Sequence, residues 1–276
     1  MVRNLLCKFT LFIFFMVSLQ LTVSTASHFV LVHGACHGSW CWYKVATLLK
    51  SAGHMVTTVD LGSAGINPKQ LNQMTTLSVY LEPLMGIMMA LQPEEKVVLV
   101  GHSQGGIAIS VAAEKFTKNV AAAVYVTASM PKPGFNILQY YQQLHPSQFG
   151  DSNFTFETGA GSSSLFFGPK FLKSKLYQLS PPEDLTLALS LIRPVPIFRD
   201  EGSLKAAQLT IKKYGSIRRV FIVSERDLIF TERMQKEIIS DYPPQDVKKV
   251  SGSDHMVMFS KPQELSSLLQ TVAEEM

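Results

Sequence analysis

The pentapeptide Gly101-His102-Ser103-Gln104-Gly105, extended by Gly106, follows the apolar run Lys96 to Val100 (KVVLV) and precedes a second apolar stretch, Ile107 to Phe116. A serine set between glycines at a strand-to-helix turn is pushed out over the end of a sheet, because the chain turns too sharply for side chains on either side. The plain structural alternative is a Gly-rich turn in which Ser103 only caps the helix. A serine hydroxyl is a weak nucleophile at neutral pH. It needs a base within hydrogen-bond reach and a carboxylate that holds the base in one tautomer.

In hydrolases built on such a turn, the acid and then the histidine follow the serine along the chain. Of seven histidines, only His145 and His255 lie downstream of Ser103. His145 falls in an irregular segment, whereas His255 stands in Gly252-Ser-Asp-His255-Met-Val-Met, just after an expected strand from Asp246 to Val250. That makes His255 the expected base. Asp227, just past the apolar run Val220 to Val223, is the expected carboxylate. Glu225, nearer the strand end, and Asp254, adjacent to His255, compete with it. The developing oxyanion needs preorganised N–H donors, expected from the backbone of Gln104 and of Ala35 in the loop His33-Gly34-Ala35-Cys36-His37-Gly38. Gly34 permits close backbone approach there. His33 and His102 flank tight turns and read as packed supports rather than a second site.

The elements needed to position these groups are legible as alternation. His28 to His33, His54 to Leu61, Lys96 to Val100, Ala121 to Val126 and Arg219 to Val223 read as strands, and helical stretches Trp40 to Leu49 and Leu77 to Leu91 lie between them. Strands alternating with amphipathic helices predict an α/β fold with a mostly parallel sheet covered on both faces. The alternation breaks between about residues 131 and 199, where Gly, Ser and Pro cluster, and an insertion of that size reads as a cap over the carboxyl ends of the strands. Tyr140, Leu165, Phe166 and Phe167 are its candidate wall residues.

Composition narrows the partners. The chain of 276 residues is 46% apolar and 17% charged, with a net charge of +4 and no basic block, so nucleic acid is not an expected partner. Cys7, Cys36 and Cys41 have no second Cys/His pair at ligand spacing, which predicts neither a zinc site nor a disulfide framework. Residues 1–26 carry Arg3 and Lys8, an apolar stretch from Phe9 to Val17, and small residues at Ser24 and Ala26. That is the layout of a secretory signal peptide, too interrupted for a stable membrane span. The expected mature domain is 27–276, in the secretory pathway or outside the cell, with the cytoplasm as the alternative. Asn153-Phe154-Thr155 is a glycosylation sequon that predicts an exposed loop.

Taken together, HFVLVHGACHGSWCWYKV, VVLVGHSQGG, LFFGPKFL, LYQLSPPEDLTLALSLIRP and GSDHMVM resemble the plant methylesterase family, which includes the salicylic-acid-binding methylesterases and lies beside the hydroxynitrile lyases among the α/β-hydrolases. The resemblance runs from about His28 almost to the C-terminus. It implies an α/β-hydrolase fold and a serine carboxylesterase for methyl esters of small plant acids. Ser103, Asp227 and His255 would form the triad, with no metal or organic cofactor. The partner is then a small-molecule methyl ester, with a homodimer left open. Gly34, Ala35, Gln104 and Met256 would join the cap residues around the substrate.

Three departures stand out. The lyase branch places threonine where this chain has Gly34 and lysine where it has Met256, which favours esterase over lyase chemistry. Relatives carry Leu, Phe or Met after the nucleophile, whereas Gln104 here brings an amide that needs either a polar substrate group or a protein partner. The acid loop reads Arg226-Asp227-Leu228, without the flanking Glu and Lys common in relatives. The alternatives to an esterase are a ligand-binding homologue with little turnover and a lyase-like or decarboxylation-coupled enzyme.

Overall fold

The computed structural model describes residues 26–155 and 163–276. Almost all of the expected leader, with Cys7, lies outside the described residues. The short runs rich in Val, Ile and Leu become six parallel strands: β1 (His28–Val32), β2 (Met55–Val59), β3 (Val97–His102), β4 (Val120–Val126), β8 (Arg218–Ser224) and β9 (Asp246–Val250). Their order is β2-β1-β3-β4-β8-β9. The central strand β3 is buried at every position, as expected for a strand with both faces covered.

Strand β3 runs two residues beyond its apolar stretch, because Gly101 still pairs with Tyr125 and His102 with Val126. Helix α3 (Gly105–Lys115) then starts at once. The helix expected from Trp40 is split. Ser39–Trp42 forms a tighter 3₁₀ turn, and α1 (Tyr43–Ser51) follows. Helix α2 (Leu77–Met89) is N-capped by Thr76, whose hydroxyl accepts from the Val79 N–H.

Between β4 and β8 the chain leaves the sheet. It forms α4 (Ile137–Gln142), a three-stranded antiparallel sheet of β5 (Asn153–Thr155), β6 (Ser164–Phe166) and β7 (Val195–Pro196), the single turn α5 (Pro169–Phe171), α6 (Pro182–Leu191) and α7 (Glu201–Ala206). Asn153 is exposed as expected, but it lies on β5 rather than in a loop, because the sequon pairs in register with Ser164–Phe166. The inserted segment is pinned to the sheet body at several points. Lys44 Nζ meets the buried Asp184 Oδ2 at 2.5 Å, and the Tyr43 hydroxyl donates to Asp184 Oδ1. The Arg193 guanidinium donates to the carbonyls of Gly65, Asn67 and Lys69. Beyond β8 come α8 (Glu232–Asp241), the short α9 (Val257–Ser260) and α10 (Pro262–Glu274), whose apolar face packs Leu265, Leu269 and Val272 into the core. Among the described residues, no helix is long and apolar enough to cross a membrane.

Candidate active site

Ser103 stands between β3 and α3 with φ +52°, a left-handed conformation that costs on the order of 1–3 kcal/mol for a residue with a Cβ. Its surroundings hold it there. A Cβ on Gly105 would lie 2.5 Å from the His33 carbonyl oxygen, so the elbow closes against β1 only without a side chain at that position. The carbonyl of Ser103 accepts from the N–H groups of Gly106 and Ser129.

The loop that follows β1 comes against this elbow. A Cβ on Gly34 would sit 2.8 Å from Ser103 Cβ and 3.0 Å from His102 Nδ1. Each successive carbonyl of the loop is tied down. His33 Nδ1 donates to the Gly34 oxygen, His37 Nδ1 to the Ala35 oxygen, and the Arg193 N–H to the Cys36 oxygen. The other nitrogens fix the tautomers, since His33 Nε2 accepts from the Leu61 N–H and His37 Nε2 accepts from the Tyr177 hydroxyl. Burial holds both imidazoles neutral, and it pushes the His37 pKa from its ordinary 6.5 down to about 3. The support reading of His33 therefore holds. Among the described residues, neither the Ala35 N–H nor the Gln104 N–H is spent on a protein acceptor. Two backbone donors beside Ser103 are left open, as an oxyanion requires.

His255 lies in the loop after β9 and Asp227 in the loop after β8, at the carboxyl ends of neighbouring strands. The two side chains meet at 2.7 Å, His255 Nδ1 to Asp227 Oδ2. Asp227 is 3% exposed, and both its oxygens are committed. Oδ2 also accepts from the Thr127 hydroxyl at 2.5 Å, and Oδ1 accepts from the N–H groups of Ile229 and Phe230. Thr127 closes β4 with φ +39°, an unusual conformation for a β-branched residue, and its N–H continues the ladder to the Ile222 carbonyl. Ser103 and His255 face one cavity. No hydrogen bond joins their side chains, a contact of the kind that commonly tightens only when substrate seats.

The rival acids have other work. Glu225 pairs with Lys249 at 2.9 Å and accepts from the Gly252 N–H, which draws its carboxyl below the usual range. Asp254 points away from its neighbour His255. It accepts from the Leu179 N–H, the Ser180 hydroxyl and the Met256 N–H, so it fastens the cap to the histidine loop, and burial pushes its carboxyl up. His102 Nε2 donates to the His255 carbonyl at 2.8 Å, a support beneath that residue. His145 caps an exposed turn of the insertion.

The cavity measures about 530 Å³, in the usual range for a small-molecule site. Ala35, Ser103, Gln104 and His255 form its sheet side; Tyr140, Leu165 and Phe167 come from the cap. Three expected wall residues do not line it. Phe166 is 37% exposed between the buried Leu165 and Phe167, because the alternation of β6 turns it outward. Met256 is fully buried in the core behind the histidine loop. Gly34 backs Ser103 rather than facing substrate, since the elbow takes up its free side. The sequence reading missed Tyr141, Phe149, Phe171 and the strip Leu228–Thr231. Tyr141 adjoins Tyr140 and was open to inference, but Phe149 and Phe171 are brought together by tertiary packing, with ring centroids 5.5 Å apart.

The Gln104 amide finds a protein partner, as its Nε2 donates to the Tyr141 hydroxyl at 2.6 Å, while its Oε1 is buried with none. Such an atom costs about 1–3 kcal/mol. Cys36 and Cys41 are both buried and free.

A profile of the alpha/beta hydrolase family matches residues 29–268. Methyl jasmonate esterase 1 of Vitis vinifera is 51% identical over 252 residues, covering 90% of this chain and 97% of the relative. The chain belongs to the plant methylesterases, carboxylic ester hydrolases of the α/β-hydrolase family. Salicylic acid-binding protein 2 of Nicotiana tabacum is 42% identical over 255 residues, covering 90% of this chain and 97% of its own. Among solved structures, tomato methylketone synthase I complexed with 2-tridecanone superposes with a TM-score of 0.85 at 43% identity, covering 91% of this chain and 99% of its own. Polyneuridine aldehyde esterase gives 0.85 at 38%, covering 90% and 100%.

Proposed function

We propose that this methylesterase hydrolyses methyl esters of small plant acids through Ser103, His255 and Asp227 and an acyl-enzyme on Ser103. The observation that carries the reading is the Asp227–His255 hydrogen bond at 2.7 Å, set on the same cavity as a serine held at an elbow. Asp227, its lone pairs occupied by Thr127, Ile229 and Phe230, keeps the His255 Nδ1 proton in place, so Nε2 is free to act as base.

Ser103 Oγ attacks the ester carbonyl as His255 Nε2 takes its proton. The carbonyl oxygen becomes negative beneath the open N–H groups of Ala35 and Gln104. His255 returns the proton to the departing methoxide, which leaves as methanol, and water then releases the acid by the same route. The apolar walls, including Leu165, Phe167, Val195 and Ile197, suit a hydrocarbon acyl group. Met256 beside the base is apolar and buried, so no ammonium stands there to assist a leaving cyanide, which argues against the lyase alternative.

Methanol release from a panel of methyl esters, including methyl jasmonate, methyl salicylate and polar alkaloid esters, tests the reading. Turnover of at least one ester that disappears in Ser103→Ala is expected. A blank panel from folded protein favours the ligand-binding alternative. We also propose that residues 1–26 direct the chain into the secretory pathway and that exposed Asn153 carries a glycan there. N-terminal sequencing of the native protein checks the first, where an intact Met1 contradicts it, and a mobility shift on deglycosylation checks the second.

A further inference from the structure

One short piece of the cap bonds to the loops after β1, β8 and β9 together. It follows a π-helical turn, Leu172–Leu176, that ends with the Tyr177 N–H donating to the Leu172 carbonyl. Closing over five residues rather than four brings Phe171 and Leu176 round to the cavity together. Tyr177 turns the other way, and its ring stacks on those of His37 and Phe259 with centroids 5.9 and 5.7 Å apart.

The next bonds are shared out among the loops. The Tyr177 hydroxyl donates to His37 Nε2 at 2.7 Å, in the loop after β1. Gln178 Nε2 donates at 2.8 Å to the carbonyl of Arg226, the residue before Asp227 in the loop after β8. The Leu179 N–H and the Ser180 hydroxyl donate at 2.9 and 2.8 Å to Asp254 Oδ2, on the residue before His255 in the loop after β9. Gln178 also keeps a buried amide oxygen with no partner, a deficit that an apolar side chain would remove, so the residue is poorly explained by stability alone.

The acid and base loops are joined directly, since the Arg226 N–H donates to the Ser253 carbonyl and the Glu225 N–H to the Val250 carbonyl. The loop after β1, with the open Ala35 N–H, comes from across β3 and β4. Strands β1 and β8 stand three places apart in the sheet, about 14 Å at the usual strand spacing. Residues 177–180 span that gap.

We infer that the turn from Tyr177 to Ser180 is a positioning element that holds the oxyanion loop at a set distance from the joined acid and base loops. Tyr177 is its grip at one end, and Gln178 and Ser180 are its grip at the other. The turn belongs to the cap by sequence, yet its bonds go to the loops at the strand ends, so its loss falls on kcat. This rests on the methylesterase reading and adds positioning residues to it. The two ends act in series, and releasing either one gives up the same restraint.

Kinetics with 4-nitrophenyl acetate, whose acyl group is too small to read the cap wall, tests the inference on Tyr177→Phe, on Gln178→Leu combined with Ser180→Ala, and on all three changes together. Releasing each end alone should lower kcat about 10-fold with KM within about threefold, and the triple variant should lie within about threefold of the more damaged end, because one restraint is lost once. Independent supports would multiply to about 100-fold. That result overturns the inference, as does an unchanged kcat or a loss that falls on KM.

Amide hydrogen exchange needs no ester. In Tyr177→Phe the N–H groups of Ile229 and Phe230, bonded to Asp227 on the other side of the gap, should exchange about tenfold faster than in the native chain. Faster exchange confined to residues 34–38 overturns the inference even where kcat falls. Ester cleavage that survives Ser103→Ala strikes the methylesterase reading instead and leaves the exchange result standing.

Discussion

On the sheet side of the cavity, Ser103, Asp227 and the loop after β1 are placed by backbone turns or by hydrogen bonds to backbone. Ser103 is held left-handed by its elbow, Asp227 is filled by two N–H groups and a hydroxyl, and the loop after β1 has its carbonyls tied in sequence. On the cap side, Phe149, Phe167 and Phe171 meet ring to ring, at or just past the ends of a 3₁₀ turn, of β6 and of α5. The contrast separates two tasks. Proton transfer and oxyanion binding need fixed angles, which backbone hydrogen bonding supplies; acyl-group selection needs volume and surface, which side-chain packing supplies and can vary without disturbing the chemistry.

If the division is right, damage on the sheet side should fall on kcat and damage on the cap side on KM. The largest effect belongs to Ser103→Ala, which should lower methanol release by about 10⁴–10⁶-fold while leaving product-acid binding measurable by calorimetry.

Next comes acid sensitivity, a property of the sheet side. His33, His37 and His102 are held neutral by burial, below the ordinary 6.5. The unfolded chain thus binds more protons than the folded one below pH 6.5, so stability rises with pH and is lost as pH falls from 6.5 toward the folded values, about 3 for His37. Between pH 7 and pH 5 His37 alone should remove about 2 kcal/mol, His33 and His102 act in the same direction, and Asp254, raised by burial, acts in the opposite sense. Calorimetric scans across that range should show Tm falling steadily, and a flat profile would place the three histidines in contact with water.

Smaller in effect is Thr127→Val, which keeps shape and branching but removes the hydroxyl from Asp227 Oδ2. It should reduce kcat by about 10–100-fold with KM little changed, and Thr127→Ser should restore most of the loss. The smallest effects separate neighbours on β6. Phe167→Ala should raise KM about tenfold with kcat within about threefold, whereas Phe166→Ala, facing outward, should leave both within about twofold. A Phe166 variant that alters KM as much as Phe167 would break the assignment of the cap wall.

The same division explains what the sequence reveals. The elbow and the meeting of Asp227 with His255 are legible because backbone sterics force glycine at Gly105, and because strand ends dictate which loops meet. The sequence favours Asp227 for its place just past the Val220 to Val223 run but leaves Glu225 and Asp254 in competition, and the hydrogen bond to His255 Nδ1 separates them. The roles of Asp254, clamping Leu179 and Ser180, and of Thr127 are not legible, because each depends on a residue at least 74 positions away. In the cap, Leu165 and Phe167 are recoverable as apolar residues near the motif, but Phe166 is misplaced without knowing that a two-residue alternation operates there. Met256 shows the converse. Adjacency to His255 suggests contact with substrate, and the core takes the side chain instead.

The central claim, that an ester's acyl group passes through Ser103, is tested most directly by acid-quenching the protein during turnover of a slowly deacylated ester and mapping its peptides by mass. The account predicts an added acyl mass on the peptide containing Ser103, absent in Ser103→Ala. Methanol release that continues in Ser103→Ala, or an acyl group found on a different residue, would contradict it.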